Sequence, residues 1–127
     1  MPTFPAHGTY EVQVIDNIIL ATLIGQWNDE TTERYLAELK QIAETIGNHP
    51  WVLIANMSNW EFVEVSGYNR GSDFNDRVFD RSHQTHEFWI TENKTIVKML
   101  LKVTPLPDKV KFQYHPNLKT TLNAVLQ

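Results

Sequence analysis

The spacing of hydrophobic positions changes along the chain, and each change marks an element. Tyr10 to Ile15 reads as a strand, Asp16-Asn17 supplies two residues of turn chemistry, and Ile18 to Ile24 is a second apolar, β-branched run. An antiparallel hairpin is expected. Asn28 or Asp29 then caps a helix whose apolar positions Tyr35, Leu36, Leu39, Ile42, Ala43 and Ile46 recur at i, i+3, i+4 and i+7 until Gly47-Asn48 ends it. After Pro50 the helical period stops. Trp51 to Met57 is a short continuous apolar run, the pattern of a strand buried on both faces in a central, partly parallel position.

Residues 68 to 83 are polar and weakly periodic, with Phe74, Val78 and Phe79 as the buried side of a helix capped near Ser72. Glu87 to Thr91 reads as a fourth strand and Lys94 to Val103 as a helix stopped by Pro105 and Pro107. Val110 to Tyr114 makes a fifth strand, and Asn117 to Leu126 closes the chain as a helix with Leu118, Leu122, Val125 and Leu126 inward. A helix between two strands implies a right-handed crossover. The elements therefore predict one α/β domain over residues 1–127: a five-stranded, mostly parallel sheet with an N-terminal antiparallel hairpin and about four helices. Val14, Leu20, Leu23, Leu53 and Ile54 of the sheet are expected in one core with Leu39, Ile42 and Leu100 of the helices.

Composition narrows the class. A chain of 127 residues can hide enough surface for an independent core. Cysteine is absent, which rules out a disulfide framework and a thiolate zinc site and permits a reducing compartment. Residues 1 to 8 lack the basic start and apolar run of a signal peptide, and no apolar stretch approaches bilayer length. A soluble, cytoplasmic protein with no membrane span is expected. The net charge of -4 conceals an asymmetry: residues 1 to 90 carry 13 acids and 5 bases, residues 91 to 127 carry 2 acids and 6 lysines. Lys94, Lys98 and Lys102 fall along one helical stripe, for which a solvated face is the plain reading. Nucleic-acid binding would need more basic charge overall.

Catalytic chemistry finds no foothold. Of the five histidines only His83 and His86 are close, His86 is expected to begin a strand, and no third ligand is fixed, so neither a metal nor a cofactor is expected. There is no nucleophile elbow, phosphate-cradling glycine loop or zinc-protease helix. Glu61 and Glu64, three apart, are expected to be solvated rather than an acid–base pair. No catalytic residue is assigned, and the chain is read as a non-enzyme.

The stretch from Leu53 to Tyr68 carries the central strand into a loop of small and polar residues at the carboxyl edge of the sheet, where open α/β folds place ligands. Amides at a following helix N-terminus would favour an anion there, although Ser66-Gly67 also suits an ordinary turn and cap. Over nearly its whole length the sequence resembles the STAS family of sulfate-transporter and anti-sigma factor antagonist domains, especially its SpoIIAA-like members. Gly25 and Asn28 stand at the family's Gly-x-x-Asp pattern, Asn56, Met57 and Ser58 at its Asp-x-Ser, and Glu64, Val65, Ser66 and Gly67 at its Asp-Ser-Ser-Gly loop.

What the resemblance implies is a regulatory, protein-binding domain without catalysis. Its phosphoacceptor serine is here Val65, which has no hydroxyl, and two of its acidic positions are Asn28 and Asn56, so the usual phosphoserine switch is expected to be absent. Trp27, Trp60, Phe62 and Tyr68 come from loops expected at the same end of the sheet, with Arg70 beside them. They would form an interface anchor or line an apolar pocket, unless they are ordinary core residues. Two functions follow: a module binding a protein partner, or a second copy of itself as a homodimer, through residues 56 to 81; alternatively, a protein that holds a small apolar molecule or lipid in an aromatic pocket.

Overall fold

Asp16 sits at φ 54, the left-handed conformation that a two-residue hairpin turn requires and that Asp tolerates. It folds β1 (Thr9–Ile15) back on β2 (Ile18–Gln26), paired antiparallel from Thr9↔Ile24 to Ile15↔Ile18. The turn is also tied to the next strand: Asn17 Nδ2 donates to the Pro50 carbonyl at 3.0 Å, and Val52 N donates to the Asn17 carbonyl at 2.9 Å. A computed structural model of the chain describes residues 8–61, 81–103 and 106–126. After the hairpin come α1 (Asp29–Ile46), β3 (Trp51–Glu61), β4 (Gln84–Ile90), α2 (Lys94–Val103), β5 (Lys111–His115) and α3 (Leu118–Val125).

The five strands lie in chain order, β1-β2-β3-β4-β5, with every pair after the first parallel. In a sheet that grows in one direction, crossovers of one hand land on one face. Accordingly α1 and α2 share a face, where Leu36, Leu39 and Ala43 of α1 and Val97 and Leu100 of α2 pack on Ile19, Ala21, Leu23, Leu53, Ala55 and Trp89. Leu39 is 1% exposed, a burial that stabilises by about 1.5–3 kcal/mol. Gly47, at φ 75, ends α1 by donating its N–H to the Ala43 carbonyl at 3.1 Å. The shorter α3 covers the opposite face, laying Leu118, Ala124 and Val125 on Ile54, Phe88 and Ile90.

Four sequence expectations change. The single core becomes two, because the sheet separates Leu20 and Ile54 on the α3 face from Leu23, Leu53, Leu39 and Leu100 on the other. Val14 is no core residue at 47% exposed: Tyr10 and Val12 of the edge strand pack under α1, but Val14 near the hairpin tip does not. β3 does not stop at Met57, since a register shift between Thr22 and Ile24 absorbs one extra residue and the pairing continues to Gln26↔Glu61. β4 starts three residues early, at Gln84, paired with Trp51. The helix expected after its cap near Ser72, with Phe74, Val78 and Phe79 inward, lies outside the described residues.

Candidate functional site at the carboxyl edge of the sheet

The carboxyl ends of β2, β4 and β5 each pass directly into a helix, and each helix begins with an asparagine. Asn28 Oδ1 accepts from Thr31 N at 3.0 Å, Asn93 Oδ1 from Ile96 N at 3.1 Å, and Asn117 Oδ1 from Thr120 N at 2.9 Å. Asn28 is thus occupied as the cap of α1. The extended end of β3 forms the rest of the rim. Asn56 Oδ1 accepts from both the backbone N–H and the hydroxyl of Ser58, which ties the strand locally where the register shifts. Ser58 and Asn59 are exposed, and Glu61 Oε2 accepts from Gln26 Nε2 at 2.9 Å across the strand pair.

Beneath this polar rim lies an aromatic brace. Trp27 is only 6% exposed and donates Nε1 to the carbonyls of Thr9 (3.0 Å) and Ile24 (3.2 Å). Its ring meets Tyr35, Tyr10 and Trp60 edge-on, with centroids 5.1, 5.8 and 5.8 Å away. Trp27 and Trp60 are therefore brought together as expected, but neither sits in an open loop: Trp60 lies half-buried in β3. Of the other residues singled out in the sequence, Phe62, Glu64, Val65, Ser66, Gly67, Tyr68 and Arg70 lie outside the described residues.

Sequence reasoning missed a polar cluster buried deeper on the same face. Glu87, 4% exposed, receives three hydrogen bonds: Arg81 Nη1 at 2.7 Å and Gln84 Nε2 at 2.9 Å on Oε1, and Trp89 Nε1 at 2.6 Å on Oε2. The same Arg81 nitrogen reaches Gln84 Oε1 at 2.7 Å. A signal was present, since Glu87 directly precedes the apolar run Phe88-Trp89-Ile90 and strand alternation puts it on the same face as buried Trp89. With its oxygens committed to three donors, Glu87 is a structural carboxylate. This cluster closes one side of a cavity of about 110 Å3 lined by Trp27, Tyr35, Met57, Trp60, Trp89 and Leu100 among others.

Burial, and then the nearby Glu87 carboxylate, push the Tyr35 phenol far above the ordinary tyrosine range, against a smaller opposing pull from Arg81. Burial and Glu38 raise Tyr10 as well. A raised phenol stays protonated in the folded state after the unfolded chain has ionised, so its contribution is complete below the ordinary tyrosine value of about 10 and is lost as pH rises above it. Alkaline titration followed by circular dichroism should therefore show stability falling above that value, and Tyr35→Phe should flatten the fall. An identical fall in the variant would assign the loss to other groups.

Among the described residues no three histidine, aspartate or glutamate side chains come together to hold a metal ion. No described helix is long and apolar enough to cross a membrane. No family model matches the sequence, and no curated protein matches it significantly. Among solved structures, the chain is similar to an uncharacterized protein of the DUF3478 family from Shewanella loihica PV-4 with a SpoIIAA-like fold, at a TM-score of 0.69 and 9% identity over 97% of this chain and 98% of that one. A weaker likeness, TM-score 0.49 and 15% identity over 94% and 95% of the two chains, is to an anti-sigma factor antagonist from Mycobacterium paratuberculosis. The chain has the SpoIIAA-like α/β fold: a five-stranded mixed sheet, antiparallel at β1-β2 and parallel thereafter.

Proposed function

We propose that this chain is a non-enzymatic regulatory or interaction module that binds a protein partner through the carboxyl edge of its sheet and works without the phosphoserine switch of the STAS family. The observation that carries this reading is the extension of β3: it holds the exposed polar residues Ser58 and Asn59 on a paired strand braced from below by Trp27 and Trp60. A rigid support under an exposed polar rim is the usual construction of a recognition surface. Val65 in place of a hydroxyl residue supports independence from phosphorylation. A second reading, in which the aromatic lining under α1 holds a small apolar molecule, has less support, since the cavity of about 110 Å3 is smaller than the usual ligand site.

Affinity purification of the full chain from its native cells tests both. Because Trp60 packs on Trp27, the rim is better probed at Asn59 than at Trp60. With the recovered protein partner, Asn59→Arg should weaken binding about tenfold or more, the loss expected when a charge is forced into an interface. Replacing Lys94, Lys98 and Lys102 together by alanine should alter mainly the association rate and its salt dependence. Loss of binding in the lysine variant alone would move the site to α2. A stoichiometric apolar molecule released on denaturation, with no protein recovered, would select the second reading.

A further inference from the structure

At the amino edge of the sheet, the end opposite the rim, the beginnings of β4 and β5 enclose a groove of about 450 Å3. Ser82, His83, Thr85, His86, Lys109 and Lys111 are among its lining residues. The chain as a whole is acidic, yet four of these side chains are lysine or histidine and, among the described residues, none of the lining is a carboxylate. Glu87, the acid next to His86 in sequence, lies on the other face of the sheet and is committed to Arg81, Gln84 and Trp89. Asp108 precedes Lys109 but is not part of the lining.

Three of these side chains, Thr85, His86 and Lys109, are positioned by contacts within the fold. His86 and Lys111 are register partners on adjacent strands, which puts both side chains on one face about 4.8 Å apart at the backbone. The His86 ring lies parallel to Phe88, with centroids 5.9 Å apart, and its Nδ1 is 2.9 Å from Thr85 Oγ1, which leaves Nε2 of the neutral ring as an acceptor for a ligand hydroxyl. Thr85 Oγ1 in turn donates to the Trp51 carbonyl at 3.3 Å. On the opposite wall, Lys109 Nζ donates to the Ser82 carbonyl and so draws the turn before β5 toward the start of β4.

The geometry points to a binding site for a phosphate-bearing small molecule in this groove. Two ammonium groups, Lys109 from the turn and Lys111 from β5, suit an oxyanion that offers several acceptor oxygens, and the hydroxyls and imidazoles beside them suit a polar ester. The groove has room for more than a bare anion, which favours a phosphate ester as the ligand. The polar lining selects a polar remainder. This site is independent of the carboxyl rim and stands or falls separately from it.

The test is a nuclear magnetic resonance titration of the full chain with glycerol 3-phosphate and, in a separate arm, inorganic phosphate, each against potassium chloride at matched ionic strength. Saturable shifts should be confined to residues 82–86 and 109–111, with the ester binding more tightly than inorganic phosphate. Lys111→Gln, an exposed change on the edge strand, should weaken the ester about tenfold, the loss of one charge-assisted hydrogen bond. Lys98→Gln on α2 should leave the titration unchanged. Equal shifts with chloride, absence of saturation, or an ester that binds no better than inorganic phosphate would overturn the assignment.

Discussion

Glu87→Ala should destabilise the fold by about 3–5 kcal/mol, because it removes one member of a buried ion pair and leaves the other behind. Arg81 and Glu87 are 12% and 5% exposed at their side chains, so water cannot easily replace the lost carboxylate. The Trp89 indole loses its acceptor in the same step, and the Gln84 amide, itself 2% exposed, keeps only the His86 carbonyl at 3.2 Å. Urea unfolding followed by tryptophan fluorescence would measure the change. The combined replacement Arg81→Met and Glu87→Leu should recover much of the loss, since an apolar pair of similar volume carries no uncompensated charge. If Glu87→Ala cost under about 1 kcal/mol, the cluster would be accessible to water and the burial described here would be wrong.

Gly8→Ala is the second large effect expected, on the order of 3 kcal/mol or more from left-handed backbone strain together with overpacking. A Cβ at Gly8 would lie 2.4 Å from Trp27 Cδ1 and 2.8 Å from the carbonyl oxygens of both Gln26 and Ile24, on a backbone already at φ +81. The indole is pinned by its two hydrogen bonds and its ring neighbours, so it cannot swing aside cheaply. Gly47→Ala provides the comparison: φ is +75, but nothing lies within 4 Å of the added carbon. Only the backbone term, about 1–3 kcal/mol, should appear there. Thermal unfolding that ranks the two variants equally would mean the Trp27 brace is loose, and with it the support assigned to the rim.

The parts of the fold that could be read in advance are those where one local rule decides. The hairpin rested on Asp16-Asn17 between two β-branched runs, and α1 on a clean helical spacing bounded by Asn28 and Gly47. The end of β3 could not be read so, because a bulge breaks the alternation and Ser58-Asn59 looks like a loop when its pairing partner is unknown. The division into two cores escaped for a related reason. A continuously apolar strand such as Leu53-Ile54-Ala55 announces burial on both sides but does not say which helix covers which residue.

For the candidate site the limit was pairing in space. Trp27 and Trp60 were marked together by type, but only the parallel register Gly25↔Trp60 sets them ring against ring. The Arg81–Glu87–Trp89 cluster needs contacts across a strand start, which no spacing rule supplies. The same holds for the amino-edge groove. His86 and Lys111 are distant in sequence and become neighbours through the β4-β5 register alone.

The agreement between strand order and chain order also bears on how the sheet assembles. Every described pairing joins strands consecutive in sequence, so none has to be inserted between two partners already in place. The first closure, β1 on β2, spans a two-residue turn and carries the smallest entropic cost, whereas each later strand must first bring back a connecting segment. Assembly can therefore proceed by addition at a single growing edge, with the hairpin as its template and β5 as the last strand to dock.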